Sequence, residues 1–397
     1  MVTTVNAKRA GLITAIVCIT PVVSHSIGRS VYGLLLPAIR EDLSLTNAQA
    51  GWPSSGTFLL YVVGVLVVVV LSPRCEPKTI MRGALLLSVV GVAITATAPN
   101  LLALTIGVSL VGGAGAGIWM TAPVLATEYV SEQRRGLVIG ALTSTIGLAN
   151  IGFGAGTTLW RNASGDDTLW RPIWWVAFGI VAILLAAMVS VARFSPTDRM
   201  SGIDLGIIRR LPRWREITFA YALFGGMTAG FGTFIVAALE DHGGISESTS
   251  PLVFSAMGVA GMLAAPVAGA ISDRAGRLAV LRAVLAILVV ANLLVALGGA
   301  LPVIAGALVY SAGAASFPAL IAVYVRDTLD SRSFSQALAV MTILFSLMAA
   351  LLPAVAGRLA DISFRWSYLV LAALALVGFV VLLTTSGNVR AVPKTVA

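Results

Sequence analysis

Residues Gly269 to Arg277 read G-A-I-S-D-R-A-G-R, a short charged turn set between apolar stretches at 250–271 and 278–299, each long enough to cross a bilayer. The meaning of the turn depends on its flanks. Hydrophobic residues make up 58% of the 397 and charged residues 11%, against roughly 45–50% and about 25% in soluble domains. A chain so poor in charge reads as an integral membrane protein.

A hydrocarbon core needs about 20 apolar helical residues per crossing. Cutting the chain at its charge, Pro and Gly clusters predicts twelve such helices, near 11–39, 49–71, 79–98, 101–123, 137–160, 170–192, 217–239, 250–271, 278–299, 302–324, 336–357 and 364–385. The apolar runs are continuous and not alternating, which favours helices over a barrel. Lys8 and Arg9 lead into a segment too long for a signal-peptide core and without a cleavage site, so the first helix is expected to remain.

Lys and Arg set the orientation. With both termini cytoplasmic in a plasma (inner) membrane, the outside loops hold only Arg40, Arg161, Arg171, Arg358 and Arg365, and Arg29 lies within the first helix. All other basic residues fall inside, including six Arg between 193 and 215. The net charge of +9 is thus a topology signal, and no nucleic-acid partner is expected because no soluble basic face exists. Cys18 and Cys75 are too isolated for a disulfide or metal site. No ligand cluster, nucleophile elbow or phosphate loop is present, so neither a cofactor, a metal nor enzymatic activity is expected.

The longest polar segment, 193–215, divides a six-helix bundle at 1–192 from another at 216–397 and reads as a cytoplasmic linker. The halves repeat. A shift of 200 residues lays Ser72, Arg74 and Arg82 on Ser272, Arg274 and Arg282, and a shift of 195 lays Tyr129-Val130 and Glu132 on Tyr324-Val325 and Asp327. Both matches join helices of the same ordinal position, as in parallel repeats.

The G-x-x-x-D-R-x-G-R of Gly269, Asp273, Arg274, Gly276 and Arg277 resembles the loop 8–9 signature of the major facilitator superfamily. So do the glycine-rich fourth helix (Gly112, Gly113, Gly115, Gly117) and Glu128 followed by Arg134-Arg135-Gly136. The resemblance covers the whole chain. It implies an all-α membrane protein of twelve helices in two six-helix bundles that rock in alternating access, with helices 1, 2, 4, 5, 7, 8, 10 and 11 lining the pathway. Gly28 to Pro37, G-R-x-x-Y-x-L-L-L-P, is also similar to a YbfB-like branch.

Departures from the pattern are informative. Loop 2–3 reads S-P-R-C-E-P-K, with Pro73 at the acidic position and no glycine. Ser109 stands where the fourth helix usually carries an arginine, and the fifth helix has no Gly-Pro pair. These losses argue against a drug/proton antiport mechanism.

Arg29 is the one charge placed well inside a predicted helix, at a cost of about 2.5–3.5 kcal/mol on insertion scales. His25 and Tyr32 share its face at i, i+4, i+7 spacing. A guanidinium there would bind a carboxylate, sulfonate or phosphate, and His25 would serve as a hydrogen-bond donor or a proton site. The bland reading is a structural arginine that snorkels or binds carbonyls. Further substrate-contact candidates at mid-depth on lining helices are Tyr61, Trp119, Met120, Asn150, Phe231, Tyr310, Phe317 and Phe345. Asn150 leads them, since a buried amide needs partners. Glycines 225, 226, 230 and 232 imply a bent, closely packed or lipid-facing seventh helix. Gating candidates are Asp273, Arg274, Gly276, Arg277 and Glu128 on one side and Glu240 and Asp241 on the other.

The leading expectation is a monomeric secondary transporter of a small organic anion, with proton coupling through His25, uniport and anion exchange all left open. Two others stay open: efflux of amphiphilic drugs or metabolites, with Arg29 structural, and a membrane sensor without flux. In every case Asp273 is expected to anchor the closure at loop 8–9, through Arg277 or the start of helix 11, while loop 2–3 contributes topogenic charge.

Overall fold

The computed structural model describes residues 7–166, 169–190 and 205–384. The side chains of Lys8, Arg9 and Arg332, the tail residues Arg390 and Lys394, and 193–204 of the expected linker lie outside the described residues. Twelve described helices are long and apolar enough to span a membrane. They are α1 (Ala10–Asp42), α2 (Asn47–Leu71), α3 (Pro77–Ala96), α4 (Leu101–Thr127), α5 (Glu132–Ser164), α6 (Arg171–Ser190), α7 (Trp214–His242), α8 (Ser250–Ala275), α9 (Arg277–Leu297), α10 (Ala300–Thr328), α11 (Gln336–Ile362) and α12 (Phe364–Leu383). No strand occurs among the described residues.

The helix ends follow local chemistry. Thr46 and Gln49 form a reciprocal capping box at the start of α2, each side chain accepting the other's backbone N–H at 3.0 and 3.2 Å. Pro77 opens α3, where its missing N–H costs nothing. Asn100 caps α4 by accepting from the Ala103 N–H at 3.0 Å. Gly165, at φ 66°, ends α5 in the left-handed region that a side chain resists.

Helix α5 runs past its expected limits of 137–160 in both directions. Arg161, expected in an outside loop, therefore lies within the helix and is 2% exposed. A helix keeps its backbone hydrogen-bonded beyond the apolar run, so polar residues flanking such a run need not be loop. Arg134 and Arg135, also expected in a loop, lie in its first turns.

Helix α1 is not uniform. Pro21 cannot donate, and from Val22 to Ser30 the ladder widens into a π-helical segment before α-helix resumes at Val31. This segment carries His25 and Arg29.

By internal contacts the chain forms two compact units, Met1–Leu45 with Trp52–Gly202, and Thr46–Gly51 with Ile203–Ala397. In the first, α4 is the hub, and its glycines admit close neighbours: a Cβ on Gly112 would lie 2.5 Å from the Thr57 carbonyl oxygen, and one on Gly115 would lie 3.2 Å from the Ser24 Cβ. Asp42 ends α1 by accepting from Trp170 Nε1 at 3.1 Å and Arg171 at 2.6 Å, while Arg171 also donates to the Ala98 carbonyl at 3.0 Å. In the second unit, Gly225, Gly226 and Gly230 press against Phe345, Leu352 and Leu371 of α11 and α12, whereas Gly232 has open space. The α7 glycine run is thus mainly a packing face.

The repeat extends to single hydrogen bonds. Arg82 Nε donates to the Met188 carbonyl near the end of α6 at 3.2 Å, and Arg282 Nε donates to the Leu382 carbonyl near the end of α12 at 2.8 Å. Each arginine covers a carbonyl that its own helix end leaves over.

Candidate functional site

In the first unit the polar face of α1 is built by the π-segment. His25 and Arg29 remain half-buried, whereas Tyr32, expected beside them, is 1% exposed and packs in the core. Widening the turn shifts the register, so i+7 spacing no longer holds the three on one face. The Arg29 guanidinium carbon sits 4.5 Å from the Tyr61 ring centroid and 5.0 Å from that of Phe58, both on α2. Aromatic faces attract a cation without neutralising it. The Arg29 Nε is buried without a hydrogen-bond partner, and among the described residues no carboxylate pairs with this side chain.

His25 packs its ring against Trp119 of α4, with centroids 4.3 Å apart, and its Nδ1 lies 2.9 Å from the Ser24 hydroxyl. Met120 is half-buried beside Trp119. Ser109 packs its side chain against Gly56, so the longer arginine of the family pattern would not fit there without displacing α2. Asn150 of α5 is half-buried, and its Oδ1 has no hydrogen-bond partner.

The second unit holds an aromatic assembly. Phe231 of α7 stacks on Tyr310 of α10 at 3.4 Å between centroids and 4°, and meets Tyr368 edge-on at 5.5 Å. The Tyr310 hydroxyl bonds Thr228 at 3.2 Å. Phe317 and Phe345 join Tyr221 and Phe224, with Phe224 and Phe317 centred 4.7 Å apart and Tyr221 and Phe345 5.3 Å apart. The sequence reading missed Phe58, Tyr221 and Phe224. Their i, i+3 relations, Phe58 with Tyr61 and Tyr221 with Phe224, were the available signal.

At loop 8–9, Gly276 takes φ 90° and lets α9 start immediately after α8. Arg277 then bonds Asp273 at 2.5 Å, the Ser272 hydroxyl at 2.5 Å and Asp327 of α10 at 3.2 Å. Arg274 is exposed. The start of helix 11, the alternative partner for Asp273, is capped from its own chain, with the Asp330 carboxylate accepting from the Ser333 N–H at 3.2 Å. In loop 2–3 the charges pair locally, Lys78 with Glu76 at 2.5 Å. Glu128 is half-buried at the end of α4. Glu240 accepts a short hydrogen bond from the Ser250 hydroxyl, and Asp241 is exposed. Among the described residues no group of three or more His, Cys, Asp or Glu could hold a metal.

A family model described as Major Facilitator Superfamily matches residues 22–213 and 217–396. The chain belongs to the Major Facilitator Superfamily. Among superfamily relatives, it is 29% identical over 154 residues to the uncharacterized transporter YgaY of Escherichia coli O157:H7, covering 39% of this chain and 38% of that protein. It is 27% identical over 243 residues to the aspyridones efflux protein of Neocamarosporium betae, covering 59% of this chain and 42% of that one. The match thus spans about two fifths of the length of these relatives. Two solved structures share the superfamily fold. A bacterial homologue of the human lysosomal transporter Spinster superposes with TM-score 0.76 at 13% identity, over 96% of this chain and 97% of that one. The nucleoside transporter NupG gives TM-score 0.76 at 12% identity, over 95% and 98%.

Proposed function

We propose that the chain is a secondary active transporter, and not an enzyme, that works by alternating access and carries a small organic anion. The observation that carries the reading is Arg29: a half-buried guanidinium held over two aromatic rings, its Nε unpartnered and no carboxylate assigned to it. A cation kept within a membrane helix at a cost of a few kcal/mol and left without a counter-ion is primed for an anion supplied from outside the chain. Its planar fork suits carboxylate, sulfonate or phosphate. His25, on Trp119 and one π-turn earlier, is the site through which a proton would couple to the anion. The protein acts as a monomer in the plasma (inner) membrane with both termini cytoplasmic, an orientation supported by the distribution of Lys and Arg.

Counterflow in proteoliposomes tests the class, and binding of acids against neutral analogues to wild type and Arg29→Ala tests the anion. Loss of acid binding alone supports the reading; equal binding of acids and neutral analogues by both proteins would remove it.

A second reading, efflux of amphiphilic molecules, is favoured by the ring assembly of Tyr221, Phe224, Phe317 and Phe345 in the second unit and by efflux proteins among the relatives. In that case Arg29→Ala leaves transport of a neutral amphiphile intact while Phe317→Ala abolishes it.

A further inference from the structure

Helices α1 and α5 are in register. Cys18 Sγ approaches the Val138 carbonyl at 4.0 Å, Thr145 Oγ1 donates to the Cys18 carbonyl at 2.9 Å, and Ser26 Oγ donates to the Ile146 carbonyl at 3.1 Å. Cys18 to Val138 and Ser26 to Ile146 share one offset, 120 residues, so the two segments run in the same direction side by side. One turn further along both, the same offset sets Asn150 level with Ser30, next to Arg29.

Two unspent groups therefore share one level of the unit. Arg29 offers an N–H donor without an acceptor, and Asn150 offers an amide oxygen without a donor. Direct contact would satisfy both at once, and neither is satisfied. Leaving a buried polar atom unpaired costs about 1–3 kcal/mol, so the pair is costly unless a third group completes it. The Ser30 hydroxyl on α1 donates to the His25 carbonyl of its own segment at 3.4 Å.

Building on the anion reading, we infer that Asn150 is a specificity-determining residue, and that the substrate is an organic acid whose ionised acid group adjoins a carbon bearing a hydroxyl or ammonium donor. The acid accepts from the Arg29 fork and the donor goes to Asn150 Oδ1. Lone acids, which satisfy Arg29 and strand the amide, are poor substrates. One donor chemistry covers two sources, the neutral hydroxyl of an anionic hydroxy acid and the ammonium of a zwitterion.

The test uses the purified full chain and two probe series: butyrate with its 2-hydroxy and 2-amino forms, and phenylacetate with mandelate and phenylglycine. Binding is measured to wild type, Asn150→Leu, Asn150→Ala and Arg29→Leu. In wild type, in at least one series, the substituted acid binds about tenfold tighter than its parent, the worth of one hydrogen bond completed in a buried site. In both Asn150 variants that ratio falls to within about twofold. The ratio is taken within one preparation and is independent of the folded fraction. A hydroxy acid that outbinds the amino acid assigns a neutral donor, and the reverse order assigns a zwitterion. Equal binding of parent and substituted acids by wild type, or a preference that survives in both Asn150 variants, overturns the inference while acid binding lost in Arg29→Leu still stands. Acid binding that is absent, or unchanged in Arg29→Leu, overturns the anion reading and this inference with it.

Discussion

Arg277 links two carboxylates on different helices, Asp273 at 2.5 Å and Asp327 at 3.2 Å, and so ties α8, α9 and α10 together at one end of the second unit. Asp273 is 64% exposed in its side chain, and exposed ion pairs stabilise by about 0–1 kcal/mol. The bridge therefore matters little for global stability. Its value would lie in holding three helix ends in one arrangement during transport. Asp273→Asn is expected to lower the initial rate of counterflow severalfold with a shift in thermal midpoint of only a few degrees. Substitutions of Pro73, whose loop holds the local Lys78–Glu76 pair, should leave the rate within about twofold. A rate loss at Pro73 larger than that at Asp273 would show that the two loops have been assigned the wrong weights.

Arg82 and Arg282 make the same hydrogen bond in the two repeats, each to a carbonyl near the C-terminus of the last helix of its unit. A cation there satisfies an acceptor and offsets the helix dipole. Each Arg→Ala change should destabilise by about 1–2 kcal/mol, by similar amounts, and the double variant by about the sum, since the sites lie in separate units. Denaturation in detergent reads all three. Strong coupling between the two would exclude a purely local role.

Glycines inside helices differ in what they tolerate. A Cβ on Gly112 would lie 2.5 Å from the Thr57 carbonyl oxygen, while one on Gly152 meets nothing within 4 Å. Gly112→Ala must push α2 and α4 apart and should cost about 1–3 kcal/mol. Gly152→Ala should be neutral or stabilising by up to about 1 kcal/mol, because alanine loses less backbone entropy in a helix. Thermal unfolding of the two variants side by side decides it; similar losses at both would argue against the α2–α4 contact.

Arg29→Lys separates charge from shape. Lysine keeps the cation but not the planar fork that makes two parallel bonds and lies flat on the Tyr61 and Phe58 rings. Acid binding should fall about tenfold or more in Arg29→Lys and further in Arg29→Ala, as read by titration calorimetry. Equal affinity of Lys and Arg would mean that Arg29 supplies only a diffuse positive potential.

The twelve helices could be read from the sequence because each is a continuous apolar run closed by Pro, Gly or charge. Their polar ends could not, and Arg161 shows why: hydropathy marks where a helix meets hydrocarbon, and helical hydrogen bonding continues until something such as Gly165 stops it. Arg29 stood out as a charge in an apolar segment and Tyr61 as a mid-depth aromatic, whereas Phe58 did not, since in an apolar run it looks like any packing residue until the α1–α2 contact exists. The π-segment was also invisible: Pro21 signals a broken ladder, but not which spacing replaces it.

A long-range example of the same limit is Asp361, whose carboxylate accepts from the backbone N–H groups of Asn47 at 2.7 Å and Ala48 at 3.1 Å, more than 300 positions away. The capping box at Thr46 and Gln49 satisfies the Gln49 N–H, and Ala50 bonds the Thr46 carbonyl. Only the N–H groups of Asn47 and Ala48 are left over, and Asp361 takes both. Nearby, a Cβ on Gly51 would strike the Pro353 carbonyl and one on Gly357 the Asn47 carbonyl, so the first turn of α2 is closely fitted to α11. An acceptor at a helix N-terminus is worth about 1 kcal/mol, and a negative charge there adds a few tenths to 1 kcal/mol. Asp361→Asn, which keeps one acceptor and loses the charge, should therefore cost about half of what Asp361→Ala costs. Amide hydrogen exchange supplies a local readout: protection at Asn47 and Ala48 should drop in Asp361→Ala while that at Gln49, held by Thr46, is retained. Uniform loss across the turn would mean that Asp361 holds the whole helix start in place and does not merely complete its cap.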